Sequence, residues 1–129
     1  MTISHRRVGS VVVLELSGTF GAGTAESFST TVQSMLYEGR RAFVVNLAGV
    51  TRMDSTGLGA LVAACGSVAA AGGRMVLAQL PRRIQSVLAI AKLVTVFDVF
   101  DSEAEALASL MSETPRSDVV SSAVAKTIL

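Results

Sequence analysis

AFVVNLAGVTRMDSTGLGAL, residues 42–61, is the stretch that decides how the chain is read. Its first six residues, 42–47, are apolar apart from Asn46. So short and continuous an apolar run predicts a strand covered on both faces, as in a parallel sheet. From Ser55 onward the period changes. Leu58, Leu61, Val62, Cys65 and Val68 recur at the i, i+3, i+4, i+7 spacing, which predicts a helix over 55–71 closed by Gly72-Gly73. The segment between, AGVTR at 48–52, reads as a link.

The flanks extend this strand–helix pair into a layered α/β pattern. RMVLA at 74–78 is a second buried strand. Upstream, Phe28, Val32, Met35 and Leu36 share one helical face and predict a helix over 24–38. Thr24 is placed to cap it, Glu26 to complement its dipole, and Gly39 to end it in the left-handed conformation. VVVLEL at 11–16 is a β-branched strand, and 3–8 pairs with it across a turn at Gly9-Ser10.

Downstream, Pro81 opens a third helix with Ile84, Val87, Leu88 and Ala91 inward. Residues 96–100 read as an edge strand. Ser102 and Glu105 form a capping box that opens a fourth helix with Leu107, Leu110 and Met111 inward. The order β-β-α-β-α-β-α-β-α predicts an α/β fold: a mixed sheet of four or five strands with about four helices. The domain is expected over 1–112. Residues 113–129, with Pro115 and many hydroxyls, read as a C-terminal tail carrying a weak stripe of Val120, Val124 and Ile128.

Composition narrows the function. The chain has 129 residues, half of them apolar and 16% charged, with a formal net charge of +1. That excludes a largely disordered chain. The arginines fall in separated pairs, Arg6-Arg7, Arg40-Arg41 and Arg82-Arg83, instead of one basic stripe, so no direct nucleic-acid partner is expected. A single cysteine, Cys65, forbids an intramolecular disulfide and suits a reducing compartment. Residues 1–18 lack a leader pattern and no apolar run is long enough to span a bilayer. A cytoplasmic protein without membrane insertion is therefore expected.

Catalytic chemistry finds few residues to use. Ser17 to Gly23 is glycine-rich, but no acidic residue follows the next strand to hold a ribose, so a tight turn is the expected reading. No phosphate-binding loop with a Gly-Lys-Ser/Thr ending exists. The lone histidine, His5, is at the start of the chain, far in sequence from any nucleophile–base pairing. Cys65 falls on the apolar face of the second helix and reads as a small hydrophobe. One His and one Cys do not make a metal site. No catalytic residue, cofactor or metal is expected, and the protein is not read as an enzyme.

Residues 53–61, MDSTGLGAL, are locally unusual. Asp54 or Ser55 can cap the helix. Gly57 and Gly59 then sit inside its opening turns, each at a cost of about 1 kcal/mol of helix propensity. Two readings stay open on physics alone. Either the glycines allow close packing on the sheet, or they keep the surface around Ser55 flat for another molecule.

In its setting after AFVVNL and AGVTR, this segment resembles the signature of the STAS domain, where a strand runs into Asp-Ser-Ser/Thr-Gly-Leu. GGRMVLAQL and FDVFDSEAEAL also look like the family, and the resemblance covers roughly 3–112. Among bacterial anti-sigma factor antagonists of that family, it implies a phosphorylation-switched binding module whose partner is an anti-sigma factor with serine kinase activity. It implies phosphorylation at Ser55 and a partner surface of Asp54, Thr56, Gly57, Leu58, Gly21 and Thr24. Thr56 is expected to turn toward the first helical turn and stay unmodified. Two positions depart from the family pattern: Gly21 and Asn46 stand where the family often has Asp. That thins the acidic rim expected around Ser55, and a carboxylate restored by Gly21→Asp is expected to speed phosphorylation. The alternative is a constitutive STAS scaffold in a stress-signalling assembly or a lipid-transporter accessory.

Overall fold

The structure is a computed structural model that describes residues 2–90 and 97–111. β1 (Thr2–Val8) and β2 (Val11–Phe20) form an antiparallel hairpin, turned at Gly9 with φ +63°. There follow α1 (Ala22–Tyr37), β3 (Ala42–Met53), α2 (Ser55–Ala70), β4 (Arg74–Ala78), α3 (Arg82–Ile90), β5 (Val99–Phe100) and α4 (Glu103–Met111). The sheet order is β1-β2-β3-β4-β5, with every pair after the first parallel. The mixed α/β architecture expected from the sequence is the one observed.

Strand alternation explains why the central strands look uniformly apolar. Val12, Leu14, Leu16, Phe43, Val45, Leu47, Met75 and Leu77 form one buried cluster with Phe28 of α1, Leu61 and Val68 of α2, and Ile84 and Leu88 of α3. Val11, Val13, Val44, Val76 and Ala78 point the other way and pack with Ala106, Leu107 and Leu110 of α4. Both faces are covered, so both parities must be apolar.

β2 and β3 run further than their apolar cores suggest. The expected turn at 17–23 and link at 48–52 are largely strand: Ser17 pairs with Gly49, Gly18 with Val50, Thr19 with Arg52 and Phe20 with Met53. Register shifts lie between Glu15 and Ser17 and between Gly18 and Thr19. These irregularities break the alternation that makes a strand readable. β4 pairs with β3 only as far as Asn46–Ala78, so the β2–β3 ribbon projects beyond it.

Helix ends differ in detail from the expectation. Gly21, not Thr24, is the N-cap of α1. Thr24 lies inside the first turn, where its hydroxyl accepts from the Gly21 N–H at 3.0 Å, and no acid falls within that turn, so Glu26 lies beyond it. Pro81 immediately precedes α3, its carbonyl accepting from Ile84 and Gln85. The Ser102 hydroxyl caps α4 by accepting from the Glu105 N–H at 3.1 Å. Met111 is 51% exposed instead of inward. Ala91, Val96 and the tail 113–129 lie outside the described residues.

Asn46 is the one buried polar side chain among the described residues. It does not belong to a rim around Ser55. Its amide nitrogen donates to Gln79 Oε1 at 2.7 Å and to Glu103 Oε1 at 3.1 Å, and its Oδ1 accepts from the Ala48 N–H at 2.9 Å. Glu103 in turn pairs with Arg6, which also reaches Glu15. The network ties α4 across the sheet to β1. An amide suits the position because it can donate to two acceptors, whereas a carboxylate would face Glu103 as a like charge.

Burial of Glu103 opposes its ionisation, but hydrogen bonds from Arg6 and Asn46, with the charge of Arg6, outweigh that and hold its pKa below the ordinary value. A depressed carboxylate pKa contributes stability that is present above the unfolded value of about 4.3 and is lost as pH falls through the folded value. Urea denaturation from pH 7 to 2 is expected to show that loss in the wild type. In Glu103→Gln the slope below about pH 4 is expected to be shallower; parallel profiles would mean that Glu103 does not contribute to the stability of this network.

Candidate functional site

The site forms where the projecting β2–β3 ribbon meets α2. Phe20, the last residue of β2, is fully buried and stacks edge-on against Phe28 of α1, with ring centroids 5.2 Å apart. Its carbonyl accepts from the Asp54 N–H at 3.2 Å. Asp54 has extended backbone and its Oδ1 accepts from the Gly57 N–H at 2.9 Å, so Asp54 is the N-cap of α2. Ser55 is the first helical residue.

The two glycines have different causes. A Cβ on Gly57 would lie 2.1 Å from the Phe20 carbonyl oxygen, a fixed backbone atom. Gly57 is thus required by the close approach of α2 to the end of β2. A Cβ on Gly59 meets nothing within 4 Å. Packing does not require that glycine; it leaves the exposed face of the helix bare. Close packing on the sheet thus accounts for Gly57 and not for Gly59.

Of the residues expected to meet a partner, Asp54, Ser55 and Thr56 are exposed and Leu58 is half-buried against the core. Among the described residues, the hydroxyls of Ser55 and Thr56 make no hydrogen bond. No hydrogen bond to a described residue therefore ties the Thr56 hydroxyl to the first turn. Gly21 and Gly57 are buried and Thr24 is half-buried. These three shape the surface from beneath; Gly21 and Gly57 offer no side to a partner.

Gly21 also has a steric reason. Its φ of −147° is open to any residue, but a Cβ there would lie 2.5 Å from Asp54 Oδ2. The Asp54 carboxylate occupies the space that a second acid would need. A Gly21→Asp side chain would have to push the capping carboxylate aside and would face it as a like charge. Phe20, whose carbonyl seats the helix, was missed by the sequence reading. A glycine in a first helical turn was the available sign of such a contact.

Other candidates stay structural. Cys65 is partly buried beside the core, and burial pushes its thiol pKa up, with the charge of Asp98 adding to the effect. Such a thiol is poorly nucleophilic at neutral pH. Among the described residues, no group of three or more His, Cys, Asp or Glu side chains could hold a metal, and no helix is long and apolar enough to cross a membrane.

The sequence matches the STAS domain family over residues 2–106. The chain belongs to the STAS domain family. No protein among those with curated function matches it. The fold resembles that of a Thermotoga maritima protein described as an anti-sigma factor antagonist, with a TM-score of 0.80 and 24% identity over 84% of this chain and 94% of that one. It also resembles the anti-sigma factor antagonist SpoIIAA in its unphosphorylated form, with a TM-score of 0.70 and 19% identity over 86% of this chain and 99% of that one. A sulfate transporter family protein from Wolinella succinogenes has the same fold, with a TM-score of 0.72 and 24% identity over 81% of this chain and 87% of that one. At these identities the likeness is one of fold.

Two substitutions separate the causes of the two glycines. Gly57→Ala is expected to lower stability by about 1–3 kcal/mol, as forced overpacking does. Gly59→Ala is expected to raise it by about 0.5–1 kcal/mol through helix propensity. Chemical denaturation measures both; equal effects would contradict the seat on Phe20.

Proposed function

We propose that this STAS domain is a phosphorylation-switched protein-binding module of the anti-sigma factor antagonist type. Its partner would be an anti-sigma factor with serine kinase activity, and Ser55 its phosphorylation site. The carrying observation is that Ser55 opens α2 with an exposed, unbonded hydroxyl, on a helix start seated against the Phe20 carbonyl. A kinase can reach that hydroxyl without unfolding anything. The free N–H groups of the first turn tolerate an anion there, so the folded domain would survive phosphorylation.

The switch follows from charge. A phosphate adds ≈ −1.5 to −2 charges beside Asp54, on a face where α2 itself carries no charged residue. A partner packed closely on bare Gly59 and half-buried Leu58 would have to desolvate that charge, a cost that the exposed Arg52 nearby offsets only in part. The proposed role requires no metal or catalytic group.

A constitutive scaffold remains the second reading. It is favoured by Gly21, which supplies no acid to orient the serine and where one would have to displace the Asp54 carboxylate. The fold shared with a sulfate transporter family protein is compatible with that reading. The two readings separate on Ser55 alone. With the partner recovered by pull-down and identified by mass spectrometry, Ser55→Asp is expected to weaken binding at least tenfold, about 1.4 kcal/mol, while Ser55→Ala binds as wild type. Equal affinities of the two folded variants would leave a constitutive binder.

A further inference from the structure

The β2–β3 ribbon leaves one flank of β3 without β4 beyond Asn46. α3 leans against that flank, where Arg83 Nη1 donates to the Thr51 carbonyl at 3.3 Å. An open cleft of about 390 Å³ lies between them, lined by Arg52, Met53, Arg83 and Val87. Met53 and Val87 are half-buried and supply an apolar floor, while Arg52 and Arg83 are exposed. Arg52 and Met53 directly precede Asp54 and Ser55, so the cleft borders the candidate site.

Among the described residues, no carboxylate lines this cleft. The ion pairs among the described residues, Arg6 with Glu15 and Glu103 and Arg74 with Asp98, all lie elsewhere. Arg52 makes no hydrogen bond or ion pair with any described residue, and Arg83 reaches only a backbone carbonyl. Guanidinium groups prefer paired carboxylate oxygens, and two of them over a thioether and an isopropyl group fit carboxylates flanking an aliphatic side chain.

We propose that this cleft is the second half of the docking surface and receives a partner segment in which acidic residues flank an aliphatic one. The inference rests on the reading of the Ser55 face as a protein-binding surface and names the chemistry of the partner. It assigns Arg52 and Arg83 as specificity residues. It also gives the switch a second arm: a phosphate on Ser55, three residues from Arg52, would compete with the partner's carboxylates for the same guanidinium.

The test is an NMR titration of the isotope-labelled full chain with the peptide Glu-Leu-Asp-Glu-Leu, blocked at both ends, and with its Gln-Leu-Asn-Gln-Leu counterpart. The acidic peptide is expected to shift the amides of Arg52, Met53, Arg83 and Val87. The amide peptide is expected to bind about tenfold more weakly or worse. Arg52→Glu should weaken the acidic peptide by a similar factor. Because the Arg52 side chain makes no hydrogen bond or ion pair with any described residue, this variant reports on binding even if Arg83→Glu is destabilised.

Shifts confined to other surfaces, equal affinity for the two peptides, or an unchanged affinity in Arg52→Glu would overturn the proposal. Inorganic phosphate producing the same shifts at the same concentration would also do so, by showing a plain anion site. The titration does not involve Ser55. Peptide binding at the cleft together with equal partner affinities for Ser55→Asp and Ser55→Ala would sink the switch and leave the cleft standing.

Discussion

The contact between Gly57 and the carbonyl of Phe20 is the constraint on which the rest depends. A Cβ at position 57 would sit 2.1 Å from that oxygen, so the first turn of α2 lies directly on the end of β2. The Asp54 N–H closes the same carbonyl, and the Asp54 carboxylate turns back to cap Gly57. Phe20 is held in turn by its edge-on contact with Phe28. Three elements thus fix one helix start, and the next residue, Ser55, is left outside. The exposure of Ser55 follows from backbone packing beneath it.

The molecule divides its labour along the strands. Near the middle, both faces of the sheet are sealed, by α1–α3 on one side and α4 on the other, with Asn46 and Glu103 tying α4 to β1 through Arg6. Beyond Asn46 the β2–β3 ribbon continues without β4. This extension carries Met53, Asp54 and Ser55 clear of the latch. It also opens the flank that Arg52, Arg83, Met53 and Val87 line. The proposed binding features belong to the projecting end, and the features that hold the sheet together belong to the centre.

Most of this was legible wherever one strong period applied. The buried strand at 74–78 and the helix from Ser55 needed only run length and the 3.6-residue repeat, and both are observed as read. The extensions of β2 and β3 were not legible, because irregular register removes alternation and because Gly18 and Gly49 are residues of turns more than of strands. The role of Asn46 was misassigned, since neither of its acceptors, Gln79 and Glu103, is near it in sequence. Gly21 read as a lost acid until the position of the Asp54 carboxylate showed what fills its space. The motif itself was legible, but which of its glycines was structural depended on a carbonyl more than thirty residues upstream.

Site-resolved mass spectrometry of the full chain, after incubation with its purified partner and ATP, tests the central claim most directly. The account predicts one phosphate, on Ser55, in a domain that remains folded, and none in Ser55→Ala. A phosphate on Thr56 in place of Ser55, or no incorporation by a partner that binds the chain, would contradict it.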